Sequence, residues 1–397
     1  MTVASLSVWL LGAALGFVAY TYVGFPLLLI VVAALRRRRP RAAALVQWPN
    51  VSIVLPVYNE EAVIRRTLEN LLQLDYPPER RQLLVVSDAS TDRTHAIVSE
   101  FADRGVELLR LSRRVGKTAA ENAARPLLRG ELIVHTDASV QVERGALKAL
   151  IASFADPSVG VASSRNVSVA RLDEHANYAE SWYVGYDMWV RELETRFSGI
   201  VGAAGCFYAA RASIQTYALP DDLSPDFAAS LIARERGFRT VSVRQAVCFV
   251  PRIASLRREY RRKVRTIARG WRTLYFKSGL LDPRRYGAFS WVLASHKICR
   301  WLVPHAGVLA LAALAWLGRD AGWARWGVGL GVGAGLCAGL GWWWPDGRRL
   351  PKAIAVPAYL VIGNLAALHA GIRAATGIRT PTWEPTRREA IQPAEMA

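Results

Sequence analysis

Apolar and polar positions along the chain fall into two regimes. From residue 51 to about 237 short apolar runs alternate with amphipathic stretches, and on either side lie long, nearly continuous apolar segments. The first short run, residues 51–57, is rich in β-branched residues and reads as a buried strand of the parallel type. Pro56, which cannot donate to a ladder, marks its end, and Tyr58, Asn59 and Glu60 follow it. Further strands are expected at 83–87, 106–111, 132–135 and 159–163, with helices at 61–74, 92–104, 118–128 and 144–154. That rhythm predicts an α/β domain with a mostly parallel, Rossmann-like sheet and right-handed crossovers. Asn59 and Glu60 lie at the start of the first helix, and Thr91 and Asp92 can cap the second. In such a sheet ligands bind beyond the carboxyl ends of the strands, where Glu60, Asp88 and Asp137 all fall.

The flanking apolar segments are long enough to cross a bilayer. Residues 6–35 exceed the ~20 residues a spanning helix needs, and Arg36 to Arg39 and Arg41 follow at once. The positive-inside rule places that end in the cytoplasm. Residues 302–317, 328–344 and 353–374 read as three more crossings, with Trp342, Trp343 and Trp344 at headgroup level and Arg348, Arg349 and Lys352 in a cytoplasmic loop. The expected organisation is an N-terminal membrane helix (1–35), a basic linker (36–50), an α/β domain (51–250), basic amphipathic and interfacial helices (251–300), three membrane helices (301–375) and a Pro- and charge-rich tail (376–397).

Composition narrows the partners. In 397 residues, 51 Lys and Arg against 32 Asp and Glu give a formal charge of +19, which suits an anionic membrane face or substrate. The basic residues cluster beside apolar segments and not over an aromatic groove, so no nucleic-acid partner is expected. Cys206, Cys248, Cys299 and Cys337 are too dispersed for a zinc site or a disulfide frame and read as reduced thiols.

Several motifs carry chemistry. Asp88 opens a polar turn, residues 87–92, that capping alone would explain; at a strand end its carboxylate can also accept from a nucleobase or ribose. Gly116, Lys117 and Thr118 open a helix after Arg113 and Arg114, which makes a competent phosphate site although the earlier glycine of a Walker loop is missing. Asp137 ends the central strand among small polar residues and fits Mg²⁺ or Mn²⁺ bound together with a substrate's phosphates. His135 beside it reads as a packed strand histidine. Residues 180–196 form an aromatic-rich helix, with Trp182, Tyr183, Tyr186 and Trp189, best explained by packing or membrane contact. Gly202, Gly205 and Cys206 open a short strand with little bulk. In 256–274, Arg258, Arg262, Arg265, Arg269 and Arg272 form one helical stripe, while Leu256, Tyr260, Val264, Ile267, Trp271 and Leu274 form another. Such a helix can lie on an anionic membrane or aim guanidinium groups at a diphosphate.

Taken in order, the VYNE strand end, the SDAST turn, the GKT helix start and the TDAS strand end resemble the nucleotide-sugar half of family 2 glycosyltransferases with the GT-A fold. The resemblance covers most of residues 51–300. It implies that Pro56, Tyr58, Glu60 and Asp88 hold the nucleoside, and that Asp137 holds ribose and the metal-diphosphate, with Ser139 where the family's second DxD aspartate stands. It implies that Gly205 and Cys206 belong to the acceptor floor, and that Asp226, at the head of a helix, is the general base, with Asp221 and Asp222 as fallbacks. Processive members carry QxxRW where this chain has Arg262 to Thr266, which argues against a processive synthase. The implied activity is inverting transfer from a nucleotide sugar, a UDP-sugar being expected, to a lipid-linked or growing glycan acceptor on the cytoplasmic face of the cell membrane. Lys117, Arg262, Arg265 and Arg269 would neutralise the diphosphate. The alternatives are transfer to a polyprenyl phosphate, or a degenerate scaffold subunit of a polysaccharide synthesis or export complex.

Overall fold

The computed structural model describes residues 2–35, 45–169, 178–251, 255–345, 348 and 350–378, and the side chains of 178–182 are not described. Arg36 to Arg39, Arg41, Arg349, the side chain of Trp182 and the tail beyond 378 therefore lie outside the described residues.

The chain opens with α1 (Val3–Ala19), which passes through a π-helical turn, Tyr20–Gly24, into α2 (Phe25–Leu35). The α/β region follows: β1 (Val51–Val57), α3 (Ile64–Leu72), β2 (Arg81–Ser87), α4 (Thr94–Ser99), β3 (Val106–Arg110), α5 (Lys117–Ala124), β4 (Leu132–Thr136), β5 (Gln141–Val142), α6 (Ala146–Ala152) and β6 (Val159–Val169). Then come α7 (Tyr178–Phe197), β7 (Phe207–Arg211), α8 (Pro225–Glu235), β8 (Arg239–Pro251) and the long α9 (Leu256–Phe276). The chain closes with α10 (Pro283–Tyr286), α11 (Ala288–Leu293), α12 (Arg300–Leu317), α13 (Gly322–Trp343) and α14 (Lys352–Ala375).

One eight-stranded sheet runs in the order β3-β2-β1-β4-β7-β6-β8-β5. The β3-β2-β1-β4 half is parallel, as the alternating strands and helices predict. β7 enters antiparallel between β4 and β6, and β5 pairs antiparallel with β8, so the sheet is mixed. The expected strand at 159–163 continues to Val169, because β8 pairs with it along its whole length in a bulged parallel register. Pro56 lies within β1 opposite Val86, and pairing continues to Val57 and Ser87, one step past the proline. All four helices end sooner than their apolar pattern suggests, and all but α5, which starts one residue early at Lys117, also begin later. α3 starts at Ile64, since the Glu60 carbonyl already accepts from Val63 and Ile64 in a preceding turn.

Apolar residues of both sheet faces are buried under α3, α4 and α6 on one side and α5 and α8 on the other. Strand residues such as Ile53, Leu55, Val85 and Phe207 are wholly enclosed. Complete burial of an aliphatic side chain of this size contributes about 1.5–3 kcal/mol, so the parallel half is a stiff platform.

Among the described residues three helical stretches are long and apolar enough to cross a membrane: Val3–Leu35, Ala288–Leu317 and Lys352–Ala375. The second joins α11 and α12 through a π-helical segment, Ala294–Cys299, so the expected interfacial and spanning pieces are one helix. α13, expected to span, has the length but is not among these three stretches.

The apolar stripe of α9 meets α14. Val264 and Ala268 pack with Ala366 and Ala370, and Leu256 with Ala358, Tyr359 and Ile362. That face is therefore covered by a membrane-type helix, and the opposite stripe turns toward the α/β domain.

Candidate active site

A cavity of about 300 Å³ opens beyond the carboxyl ends of β1 and β4, at the lower end of the range for ligand sites. It is lined by the carboxylate residues Glu60, Asp137 and Asp226 and the basic residues Lys117, Arg262, Arg265 and Arg269. Ser139, Gly205 and Cys206, also expected, line it as well. Ten expected site residues thus meet in one cleft, drawn from segments up to 209 residues apart (Glu60 to Arg269).

Pro56, Tyr58 and Asp88 do not line that cavity. Pro56 is buried within β1. Tyr58 carries the Arg114 guanidinium 3.9 Å above its ring in a cation–π stack. Asp88 is buried, and its two carboxylate oxygens accept from the backbone N–H groups of Val115 at 2.7 Å and Gly116 at 2.8 Å. Gly116 has φ of +94°, a conformation a side chain would strain, and it is the residue before Lys117. Asp88 therefore sets the turn that delivers Lys117 to the cavity.

Lys117 Nζ stands 2.5 Å from Asp137 Oδ1, 3.4 Å from the Gly205 carbonyl oxygen and 3.8 Å from Glu121 Oε1. Burial by itself would lower this ammonium's pKa. The charges of Asp137 and Glu121 outweigh it and raise the pKa, so Lys117 is a fixed positive charge. Behind it, the His135 ring stacks on Tyr208, with centroids 4.7 Å apart and planes 7° from parallel, as a packed strand histidine would. Burial, followed by the charges of Glu121, Asp226 and Asp137, pushes the Tyr208 hydroxyl well up, so it stays protonated.

Asp226 occupies the first turn of α8, after Ser224 and Pro225. One carboxylate oxygen accepts from the Ser224 hydroxyl at 2.7 Å, and the helix N-terminus adds a favourable field of about 0.3–1 kcal/mol. A Cβ on Gly205 would come within 3.1 Å of Asp226 Oδ2, so the glycine leaves that carboxylate its room. Asp222 forms an ion pair with Arg272, and the Asp221 carbonyl accepts from Arg269; neither residue lines the cavity.

The donor set suits a hard divalent cation that brings its own phosphates. Asp137 offers a carboxylate partly open to the cavity, with the Ser139 hydroxyl nearby. Among the described residues no three His, Cys, Asp or Glu side chains form a cage, so diphosphate oxygens would have to complete the coordination.

Residues 52–214 match the glycosyl transferase family 2 model. The chain carries a family 2 glycosyltransferase domain. Its relatives include beta-monoglucosyldiacylglycerol synthase from Nostoc sp., 31% identical over 156 residues, 38% of this chain and 33% of that protein. Another is an N-acetylglucosaminyltransferase from Bradyrhizobium diazoefficiens, 25% identical over 72% of this chain and 61% of that one. The match spans about a third of the length of the first of these relatives. In fold, the glycosyltransferase domain and its flanking helices resemble a mannosyltransferase from Pyrobaculum calidifontis, solved with GDP-Man and Mn²⁺. The TM-score is 0.70 at 22% identity, over 93% of this chain and all of that one. The mixed sheet and its helices are therefore of the GT-A type.

Sequence reasoning missed several features of the glycosyltransferase domain's cavity. Asn166, Ser168 and Thr266 add polar walls and Val184 and Val250 apolar ones. Asn166 and Ser168 belong to the part of β6 beyond the expected strand end. Glu121 gave no motif signal, but at four residues from Lys117 it shares that lysine's helix face.

Proposed function

We propose that this chain is a membrane-attached, inverting glycosyltransferase that moves a sugar from a nucleotide-diphosphate donor, a UDP-sugar being expected, to a hydroxyl of a lipid-held acceptor on the cytoplasmic face. The observation that carries this reading is the packing behind Asp226. The next residue, Phe227, and Leu231 share one apolar cluster with Phe25 and Leu29 of α2 and with Phe289, Val292 and Leu293 of α11. A carboxylate facing the sugar-site cavity is thus backed directly by membrane-type helices. An acceptor held at the membrane surface would find its base there. The glucolipid synthases among the relatives agree with a lipid acceptor.

In the proposed reaction the donor diphosphate lies over Asp137, Lys117 and the cationic side of α9. Bound Mg²⁺ or Mn²⁺, held by Asp137 and the diphosphate, would offset charge on the leaving group. The acceptor oxygen forms a bond to the anomeric carbon from the face opposite the diphosphate, the carbon–oxygen bond to diphosphate breaks, and Asp226 takes the acceptor's proton. The expected products are a sugar of inverted configuration and a nucleoside diphosphate.

The test is a donor screen with full-length protein in lipid vesicles, following nucleoside diphosphate release with and without a lipid acceptor and reading the product's anomeric configuration. Lipid-dependent consumption of one donor with inversion is expected. Retention of configuration, or no consumption of any donor, would overturn the reading.

A further inference from the structure

Arg269 is one of the basic residues that line the cavity, and it holds several segments at once. It sits on α9, next to Ala268, which packs against α14. Its side chain is largely enclosed, and among the described residues its hydrogen bonds run to backbone and hydroxyl oxygens. Nε donates to the Leu223 carbonyl at 3.1 Å. Nη2 lies 2.6 Å from that same carbonyl, 2.9 Å from the Asp221 carbonyl and 2.5 Å from Thr118 Oγ1. Thr118 in turn donates to the Leu223 carbonyl at 3.0 Å. Three segments distant in sequence, the turn at 221–224, the start of α5 and the middle of α9, are joined through this one guanidinium.

The turn it grips leads straight into Asp226, and the same turn is held at Ser224 N, which donates to Thr273 Oγ1 at 2.9 Å. The helix it grips begins with Lys117, the residue before Thr118. A planar fork donates from several nitrogens in fixed directions, whereas a lysine donates from one nitrogen on a flexible stem and fixes no such geometry.

We propose that Arg269 is a positioning residue: it locks the turn carrying the general base to the helix carrying Lys117, and its contribution to transfer is the alignment of Asp226 and not a grip on the diphosphate. The inference rests on the proposed reaction and extends it by giving the α9 arginines separate duties. Arg262 and Arg265 also line the cavity. Arg269, one turn further along, ties the base to the donor side and, through α9, to the membrane helix α14.

The test compares Arg269→Lys and Thr118→Val with unmodified protein in vesicles, measuring kcat, donor KM and equilibrium binding of the nucleoside diphosphate. Arg269→Lys keeps the charge and loses the fork. A fall in kcat of about 30-fold is expected, with donor KM and nucleotide affinity within about threefold, because misplacement of a catalytic group acts on the rate. Thr118→Val should show the same split at smaller size, and the double variant should be little worse than Arg269→Lys alone, since both changes break one network. Nucleotide affinity falling in step with kcat in Arg269→Lys would assign the guanidinium to the diphosphate and overturn the proposal, as would an unchanged kcat. If Arg269→Lys does not fold, Thr118→Val decides by the same criterion. Failure of the wider functional reading would show separately, as an unmodified protein that neither binds nucleotide nor transfers sugar.

Discussion

At the proposed donor end of the cavity, Asp137 and Lys117 stand where a buried strand ends and a helix begins, and the parallel half of the sheet fixes both. At the proposed acceptor end, Asp226 opens α8 outside the sheet, after a turn held by side chains of α5 and α9, and membrane-type helices back it. The first arrangement depends on backbone topology and tolerates little motion. The second depends on a few side-chain hydrogen bonds, so changes far from the chemistry should reach it. Substitutions at the donor end should therefore act on donor binding and rate together, and those at the acceptor end on rate alone.

The largest donor-end effect is expected at Asp137. Asp137→Asn should lower transfer by about 10²–10³-fold and weaken nucleotide-sugar binding, measured by steady-state kinetics and calorimetry. Chelation of divalent ions should reproduce much of that loss in the unmodified protein and add little in the variant. Lys117→Gln should come next, with a rise of about 10-fold or more in donor KM, since a charged hydrogen-bond partner of the diphosphate is lost. A variant with unchanged donor KM would mean that the lysine serves only Asp137.

At the acceptor end, Gly205→Ala places a methyl group 3.1 Å from Asp226 Oδ2 and should lower kcat by about three- to tenfold while donor KM holds. A parallel change in donor KM would show that the two ends are not separable. The smallest effect is expected away from both. Burial alone would raise the Asp156 carboxyl, but the Ser158 hydroxyl and the Arg239 guanidinium bring it down to about 2. A group whose pKa is depressed on folding adds stability above its unfolded value near 3.8 and loses it as pH falls toward 2. Asp156→Asn should then cost less than about 1 kcal/mol at neutral pH, and its melting temperature should converge on that of the unmodified protein between pH 4 and pH 2.

The same contrast explains what could be read in advance. The parallel strands were legible because buried strands are continuous apolar runs, and their carboxyl ends named Glu60, Asp88 and Asp137 directly. The antiparallel entry of β7 was not, since chain direction leaves no trace in hydrophobic pattern. The role of Asp88 was half legible. Its place at the strand end was clear, but its engagement by the Val115 and Gly116 amides depends on a turn 27 residues away. The α9 stripes were legible by period, but which face met α14 and which met the cavity required the packing. The duties of Arg269 and Glu121 were hidden for a similar reason, because both act through neighbours that only the fold supplies.

The proposed reaction needs a cleft where sheet-held donor groups and a membrane-backed carboxylate act on one sugar. The most direct measurement takes Asp226→Asn in lipid vesicles and records, on the same sample, equilibrium binding of the nucleotide sugar and its rate of transfer to the lipid acceptor. The account predicts binding within about threefold of the unmodified protein and transfer lowered by about 10²–10⁴-fold. Transfer at the unmodified rate, or loss of binding equal to the loss of transfer, would contradict it.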